Sequence, residues 1–496
     1  SMPIMDEPTS LDPQIADSNS EKLVAANCYE GLVRIMADGT IGKGVATDWN
    51  ISDDGLTYTF KLRNNSHWAM FSGHKAVLGE NYEDTFDITV KAEDFKFGIE
   101  RTLSEQTGSA DAPLFSAVKS ISTPDDFTIV FNLSYADDNF LYALTNPGAM
   151  PCDEEFFNLT NGKYGLDAKY LLCNGPFHVS KWTEKTSVKL AKNNEYNGES
   201  SVSPSSVTFY INNDDSEVAD KMNSVTYDVA FLSSSQFSSI ENKKDLNSVA
   251  VQNVTYSFIF NQNDNNYRNK NMRLAFCRSC DTSSLFDSQS DISKADGIVP
   301  PSCKIGGEDY RNGNAAELLS YDETLAKKNF NDALLELGSS SVETTILCTE
   351  QYEPFVKQMV QKLQKTLGVK FVSTVKVVSE SDLEAAVNDG NYSVAFYPFK
   401  AKSSFAGEII EGFDQNNIFG YESDVLSQKI RNIKNNSGSL EGERSAVADA
   451  ENYLVSEAVI MPVFYENSYF VTSKKTSGIY FYSSADNVCF INAKKS

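Results

Sequence analysis

Histidine is the scarcest chemically versatile residue in this chain. The 496 residues hold three, His67, His74 and His178, and none has a carboxylate or a nucleophile at a recognisable motif spacing. Catalysis through an imidazole base therefore has no visible site. Gly-x-Ser-x-Gly, His-Glu-x-x-His and Gly-x-Gly-x-x-Gly are missing as well, which removes the common hydrolase, metalloprotease and dinucleotide signatures. The glycines of GTIGKG (Gly39, Gly42, Gly44) have the wrong spacing for a phosphate loop, and no Ser or Thr follows the lysine. No apolar run reaches the ~18 residues that a membrane helix needs. Positive charge is in short supply, with 43 Lys and Arg against 68 Asp and Glu and a net charge of −25. Such a chain repels phosphates, which argues against nucleic acid as a partner, and the same charge keeps an exported protein in solution. The paired acids Asp53-Asp54 and Asp125-Asp126 sit among turn residues, where a solvated loop is the better reading than a catalytic dyad. No enzymatic activity, cofactor or metal site is expected.

Cysteine is not scarce. Eight occur, at positions 28, 152, 173, 277, 280, 303, 348 and 489. The even count fits an oxidising compartment, and the sequence leaves the pairing open. Cys277 and Cys280 form a Cys-x-x-Cys, but no second one follows and no histidine is near, so zinc is not expected. Structural cysteines are the reading, some of them paired, with Cys280–Cys303 and Cys152–Cys173 as candidate local loops. The chain opens SMPIMDEP without an export signal. Ser1-Met2 reads as a cloning remnant, so an exported protein would have lost its signal and a lipid-bearing cysteine with it.

With 41% hydrophobic and 22% charged residues, the composition is that of a globular protein large enough for several domains. Residues 44–63, GVATDWNISDDGLTYTFKLR, read as a turn feeding a half-buried strand. Asp53, Asp54 and Gly55 supply the turn, and Leu56, Tyr58, Phe60 and Leu62 alternate with Thr57, Thr59, Lys61 and Arg63. Near the start, a helical stretch places Val24, Cys28 and Leu32 on one face. Another over 90–102 does the same for Phe95, Ile99 and Thr102, and Phe127, Ile129, Phe131 and Leu133 repeat the strand period. Gly175-Pro176 breaks the chain, after which Phe177, Val179 and Trp182 start a new sheet, with strands at 188–190, 207–211, 229–232 and 256–260. Beyond 264 the rhythm becomes α/β. A helix over 321–337 stops at Gly338, and strand 345–348 leads to a helix between Pro354 and Gly368 with Phe355, Met359, Leu363 and Leu367 on one face. Strand 369–378, helix 381–388 and strand 392–397 follow, an order that predicts a parallel, doubly wound sheet.

Several of these segments carry recognisable wording. Leu11-Asp12-Pro13 is followed by Tyr29-Glu30-Gly31-Leu32, then by the strand of 44–63 and by Ala92-x-Asp94-Phe95. Next come Asn174-Gly175-Pro176-Phe177 with Trp182, Asn193-x-x-Tyr196, Arg273 before Leu274-Ala275, Gly297-x-x-Pro300-Pro301, and the apolar AVIMPVFYEN of 458–467. In this order, over nearly the whole chain, the sequence resembles the family 5 extracellular solute-binding proteins, the oligopeptide, dipeptide and nickel receptors of ABC importers. The resemblance implies an α/β, periplasmic-binding-protein-like fold (type II, cluster C): two large α/β lobes hinged around a ligand cleft, plus a smaller extra α/β lobe. It divides the chain into lobe I (1–44, 174–263 and 465–496), an extra lobe II (45–173) and lobe III (264–464). It further implies a receptor outside the cytoplasm, at the cell surface or in the periplasm, that is monomeric and reaches the membrane only through a lipid anchor. That receptor captures an oligopeptide and delivers it to the permease. The alternatives are a receptor for another solute (an oligosaccharide, an opine-like compound or a metal chelate) and, in a different class, a secreted hydrolase or a signalling sensor.

The ligand is expected at 391–405, NYSVAFYPFKAKSSF. This stretch leaves the C-terminal end of a strand in a doubly wound sheet, where crevices form, and the residues just beyond are Phe396, Tyr397, Phe399, Lys400 and Lys402. The family's peptide receptors carry Gly-Trp here and, three residues on, an aspartate that pairs with the peptide's α-ammonium. By position, Pro398-Phe399 replaces Gly-Trp and Lys402 replaces the aspartate. An ammonium would be repelled there and a carboxylate attracted, so the usual grip on a free peptide N-terminus is not expected. Asp414 and Glu411 lie near enough to matter after a short loop shift. Tyr29, Glu30, Asn174 and Gly175 are the further candidates, at a crossing between lobes.

Overall fold

The computed structural model describes the chain apart from residues 37–39, 138, 199–200, 283–285, 287–291, 401–404, 415–416, 437–438 and 482–487, and for Glu83 the backbone alone. The chain folds into two compact units, Ser1–Ala250 with Tyr469–Ser496, and Val251–Ser468. Among the described residues no helix is long and apolar enough to cross a membrane.

The first unit is built on two four-stranded sheets. In one, strands Ala46–Ile51, Thr57–Leu62, Thr128–Leu133 and Val118–Asp125 lie antiparallel in that order. Tyr58 pairs with Phe131 and Phe60 with Ile129, so the apolar side chains of both strands share the dry face, and all four are buried. The expected alternation over Leu56–Arg63 is therefore observed from Thr57 onward. Gly55, at φ 68°, closes the hairpin where a side chain would be strained. Helix Ala92–Leu103 covers the sheet with Phe95, Ile99 and Thr102 buried. The other sheet runs Met2–Ile4, Ser206–Ile211, Ser187–Lys192, Phe177–Thr183. Its first pair is parallel and the others are antiparallel. Helix Asn19–Cys28 begins with a capping box between Ser18 and Glu21. It ends at Cys28, short of the expected reach to Leu32, because Tyr29 is already extended (φ −120°, ψ 157°).

The second unit is a sheet with helices on both faces. Strands Phe371–Val377, Val342–Cys348 and Val394–Lys400 are parallel neighbours, and helices Glu353–Leu367 and Glu380–Asn388 make the crossovers between them. The purely parallel sheet read from the sequence is corrected on the other side of Val394–Lys400. There the long strand Leu246–Phe260 runs antiparallel, followed by Ile460–Ser473. Leu246–Phe260 starts ten residues before the expected Tyr256, and the weak alternation of polar and apolar residues in its first half is why the sequence did not mark it. Phe258, Phe396, Phe464 and Val394 face a core with Met359, Val356 and Phe330. Ile259, Ala395 and Leu347 face the opposite core with Ile410, Leu426 and Leu454.

Candidate functional site

In the second unit, Phe396, Tyr397, Phe399 and Lys400 lie within strand Val394–Lys400, not beyond it. The expectation of a loop there is corrected, and the reason is the partner strand. Phe396, Tyr397, Pro398, Phe399 and Lys400 pair with Phe258, Ser257, Tyr256, Thr255 and Val254. Pro398 is tolerated in the ladder because Val342–Cys348, on the other flank, pairs only with Val394 and Ala395. The strand period then separates the aromatic residues into two sets. Phe396, at 1% exposure, is enclosed by Tyr256, Phe258, Tyr352, Phe355 and Phe464, a core position with no ring face left open. Tyr397 and Phe399 point to the opposite face, their rings 5.7 Å apart and nearly perpendicular. Phe399 stacks on Phe413 and Phe419, both at 5.8 Å, and burial pushes the Tyr397 phenol up.

Lys400 is exposed and is electrostatically linked to Glu466. The Glu466 carboxylate accepts a 2.5 Å hydrogen bond from Tyr352 Oη, and burial pushes that carboxyl up. Lys402 lies outside the described residues. Asp414 accepts from Ser427 Oγ at 2.8 Å, and Glu411 closes helix Ala406–Glu411. Two groups went unnoticed in the sequence: Thr255 Oγ1 and Ser257 Oγ are fully buried and have no hydrogen-bond partner among the described residues. They are the cross-strand partners of Phe399 and Tyr397. The only signal for them was the alternation of Tyr256 and Phe258 with two hydroxyls. Tyr397, Phe399, Thr255 and Ser257 thus share one face of the sheet and combine aromatic surface with hydroxyl groups, as a ligand site needs. Lys400 and Glu466 lie on the opposite face with Phe396, which corrects the expectation that the lysine and the two aromatic rings act side by side.

In the first unit, the structure brings Tyr29, Glu30, Asn174 and Gly175 together as a buried joint. Asn174 Oδ1 accepts from Glu30 N–H at 3.0 Å and its Nδ2 donates to Glu30 O at 2.8 Å. Gly175 N–H donates to Cys28 O at 2.9 Å, and Asn193 Nδ2 donates to Gly175 O at 2.9 Å. A Cβ on Gly175 would sit 2.6 Å from Tyr29 N, so only glycine fits. Glu30 pairs with Arg63 and accepts from Tyr196 Oη at 3.2 Å. The Tyr29 and Tyr164 hydroxyls lie 3.4 Å apart, and burial pushes both well up. Tyr29, Glu30 and Asn174 are each 5% exposed or less.

All eight cysteines are free thiols, which corrects both candidate pairings. Cys280 and Cys303 belong to cores on opposite faces of the second unit's sheet. Cys152 instead accepts from Arg101 at 3.5 Å. Among the described residues, no group of three or more His, Cys, Asp and Glu side chains is arranged to hold a metal.

A mixed sheet wound with helices on both faces, inserted between segments of a first α/β unit, is a periplasmic-binding-protein-like architecture. The chain belongs to the bacterial extracellular solute-binding proteins, family 5 (Middle), which residues 40–419 match. It is 24% identical to the dipeptide-binding protein DppE of Bacillus subtilis over 95% of this chain and 88% of that one. Among solved structures, Listeria monocytogenes OppA bound to peptide superposes with a TM-score of 0.76 at 21% identity, covering 100% of this chain and 98% of that one. A dipeptide-binding protein from Pseudoalteromonas sp. SM9913 in complex with Met-Leu gives 0.78 at 18% identity, covering 100% and 99%.

Proposed function

We propose that this chain is the substrate-binding component of an ABC importer, held outside the cytoplasm by a lipid anchor, and that it captures a peptide and passes it to the membrane permease as a monomer, without chemical turnover. The observation that carries this reading is the family match together with alignment to a dipeptide receptor along almost the entire length of both chains. We read the first unit as two lobes, residues 45–173 forming the smaller one, and residues 264–464 as lobe III. Tyr397 and Phe399 are the ligand-facing residues of lobe III in this reading, with Thr255 and Ser257 offering hydroxyls to a peptide backbone. Tyr29, Glu30, Asn174 and Gly175 act as the joint that holds lobe I together around its own contribution.

The test is thermal unfolding of the full chain with di- to octapeptide pools, with oligosaccharides and with opine-type compounds, followed by native mass spectrometry of the complex. A peptide at 100 times its Kd stabilises the folded chain by about 2.7 kcal/mol, a clear upward shift of the midpoint, and it is recovered intact. A shift with a non-peptide solute alone, or recovery of cleaved peptide, overturns the proposal.

A further inference from the structure

The lysines of this acidic chain are not evenly spread. Several exposed ones pair with an acid one helical turn away, as Lys327 does with Glu323 and Lys328 with Asp332. One face of the first unit departs from that pattern. Three basic runs, Lys243-Lys244, Lys474-Lys475 and Lys494-Lys495, are exposed there and are tied together by hydrogen bonds. Lys474 N–H donates to Asp245 O at 2.8 Å, and its Nζ donates to Lys244 O at 2.7 Å. Lys495 pairs with Thr476 and Lys494 with Ser477 in a two-stranded ribbon. Ser496 N–H donates to Lys475 O at 2.8 Å. Lys243 Nζ lies 4.6 Å from the centre of the Phe237 ring, which stacks on Tyr469 at 4.2 Å.

The acidic side chains in and beside these runs are Asp228, Glu241 and Asp245. Asp228 pairs with Lys495 at 2.8 Å, and Asp245 accepts from Asn242 Nδ2 at 2.7 Å. Among the described residues, the other five lysines have no ion pair. Residue 1 lies against the same face. Asp228 N–H and Val229 N–H donate to Ser1 O at 3.0 and 3.3 Å, and Ser473 N–H donates to Asp228 O at 2.8 Å. These bonds place Ser1 beside the segment that leads into Lys474-Lys475.

We propose that Lys243, Lys244, Lys474, Lys475, Lys494 and Lys495 form a docking face for the anionic lipid headgroups of the membrane surface. The inference rests on the receptor reading above, in which a lipid anchor joins the chain ahead of residue 1 and so brings this face to the bilayer. A surface in contact with the patch feels the charges within a Debye length, about 8 Å at physiological ionic strength, and not the net charge of the whole chain. Lysine ammoniums are compact point charges on flexible stems, which suits a fluid array of headgroups that rearrange to meet them. Anchor and patch are then two signals of different kinds. The anchor holds the chain, and the patch strengthens that hold and selects the face of the first unit that meets the lipid. The membrane contact expected through the anchor alone is thereby extended.

The experiment is co-sedimentation of the unlipidated full chain with vesicles of phosphatidylglycerol and phosphatidylcholine in equal parts, and with vesicles of phosphatidylcholine alone. Binding is expected to the anionic vesicles only, and is lost at about 0.5 M salt, where the Debye length falls below about 5 Å. A lysine at an anionic surface contributes roughly fivefold to partitioning, so the variant Lys243→Gln, Lys244→Gln, Lys475→Gln, Lys494→Gln should bind at least about 25-fold more weakly. The variant Lys327→Gln, Lys328→Gln should bind as the wild type does. Thermal midpoints and their shifts with peptide are read on the same samples and should not change with the patch substitutions. Equal binding to both kinds of vesicle, binding to neither, or capture by polyglutamate without capture by vesicles would overturn the proposal, the last in favour of an acidic protein partner. A chain that takes peptide and ignores vesicles refutes the patch alone, whereas one that binds anionic vesicles and no peptide supports the patch and refutes the receptor reading.

Discussion

Replacing Glu451 with alanine should disrupt the second unit more than any single surface change. Glu451 is 1% exposed and lies on helix Leu440–Ser456. Its Oε1 accepts from the main-chain N–H groups of Ile298 and Val299 at 2.6 and 2.9 Å. Its Oε2 accepts from Tyr310 Oη at 3.0 Å and from Arg311 at 2.9 Å, and a second Arg311 nitrogen contacts Oε1. The Arg311 side chain is 9% exposed, so Glu451→Ala leaves a cation, two amides and a phenol without their shared acceptor in a place that water reaches poorly. Breaking a buried pair from one side costs about 3–5 kcal/mol. The lost amide bonds fall within that figure, since such contributions do not add. Dividing about 4 kcal/mol by a urea slope of about 2–3 kcal/mol/M lowers the unfolding midpoint by roughly 1.5 M. Glu451→Gln keeps one acceptor for the amides and loses the ion pair, so its midpoint should fall between those of the wild type and the alanine variant. Urea unfolding followed by fluorescence gives the midpoint, and hydrogen exchange of peptides covering 297–311 and 444–456 localises the effect. An alanine variant within about 1 kcal/mol of wild type would refute the reasoning, because it would mean that Arg311 finds water or another acceptor at little cost.

Removing Asn174 with alanine deletes two buried hydrogen bonds to the Glu30 main chain and should cost about 2–4 kcal/mol, read as a lower thermal midpoint; an unchanged midpoint would mean that the joint is dispensable. Gly175→Ala must displace main chain at 2.6–2.7 Å and should cost about 1–3 kcal/mol in the same assay. His74 is fully buried, with Nε2 3.1 Å from Leu171 O, and burial pulls its pKa from 6.5 down to about 4. Because the folded value is the lower one, the neutral ring's contribution is complete above pH 6.5 and is lost as pH falls toward 4, by about 3 kcal/mol in all. An NMR titration of its ring that turned near pH 6.5 would contradict this. On the proposal that Lys402 replaces the aspartate of the peptide receptors, N-terminal acetylation of a bound peptide should change Kd by less than about tenfold; a larger loss in calorimetry would restore the usual ammonium grip.

Most of the regular structure was legible because it is written locally. Phe355, Met359, Leu363 and Leu367 mark a helical face whatever they pack against, and Pro354 and Gly368 mark its ends. The strand Thr57–Leu62 announces its dry face by alternation. The candidate site was less legible. An aromatic run ending in lysines looks the same whether it is a loop or a strand, and only pairing with Leu246–Phe260 decided that Phe396 goes into the core while Tyr397 and Phe399 go to the other face. Thr255 and Ser257 stood out only once their partners were known to be missing.

The sequence alone determined the family, the acidic character and the dry side of the strongly periodic elements such as Thr57–Leu62 and Glu353–Leu367, since composition and periodicity depend only on neighbours along the chain. Tertiary structure alone decided which distant groups share one environment. Glu451 meets Arg311, Asn174 meets Glu30, and Gly175 meets Cys28. Those partnerships follow from how faces pack against each other, and packing joins residues without regard to their separation in sequence.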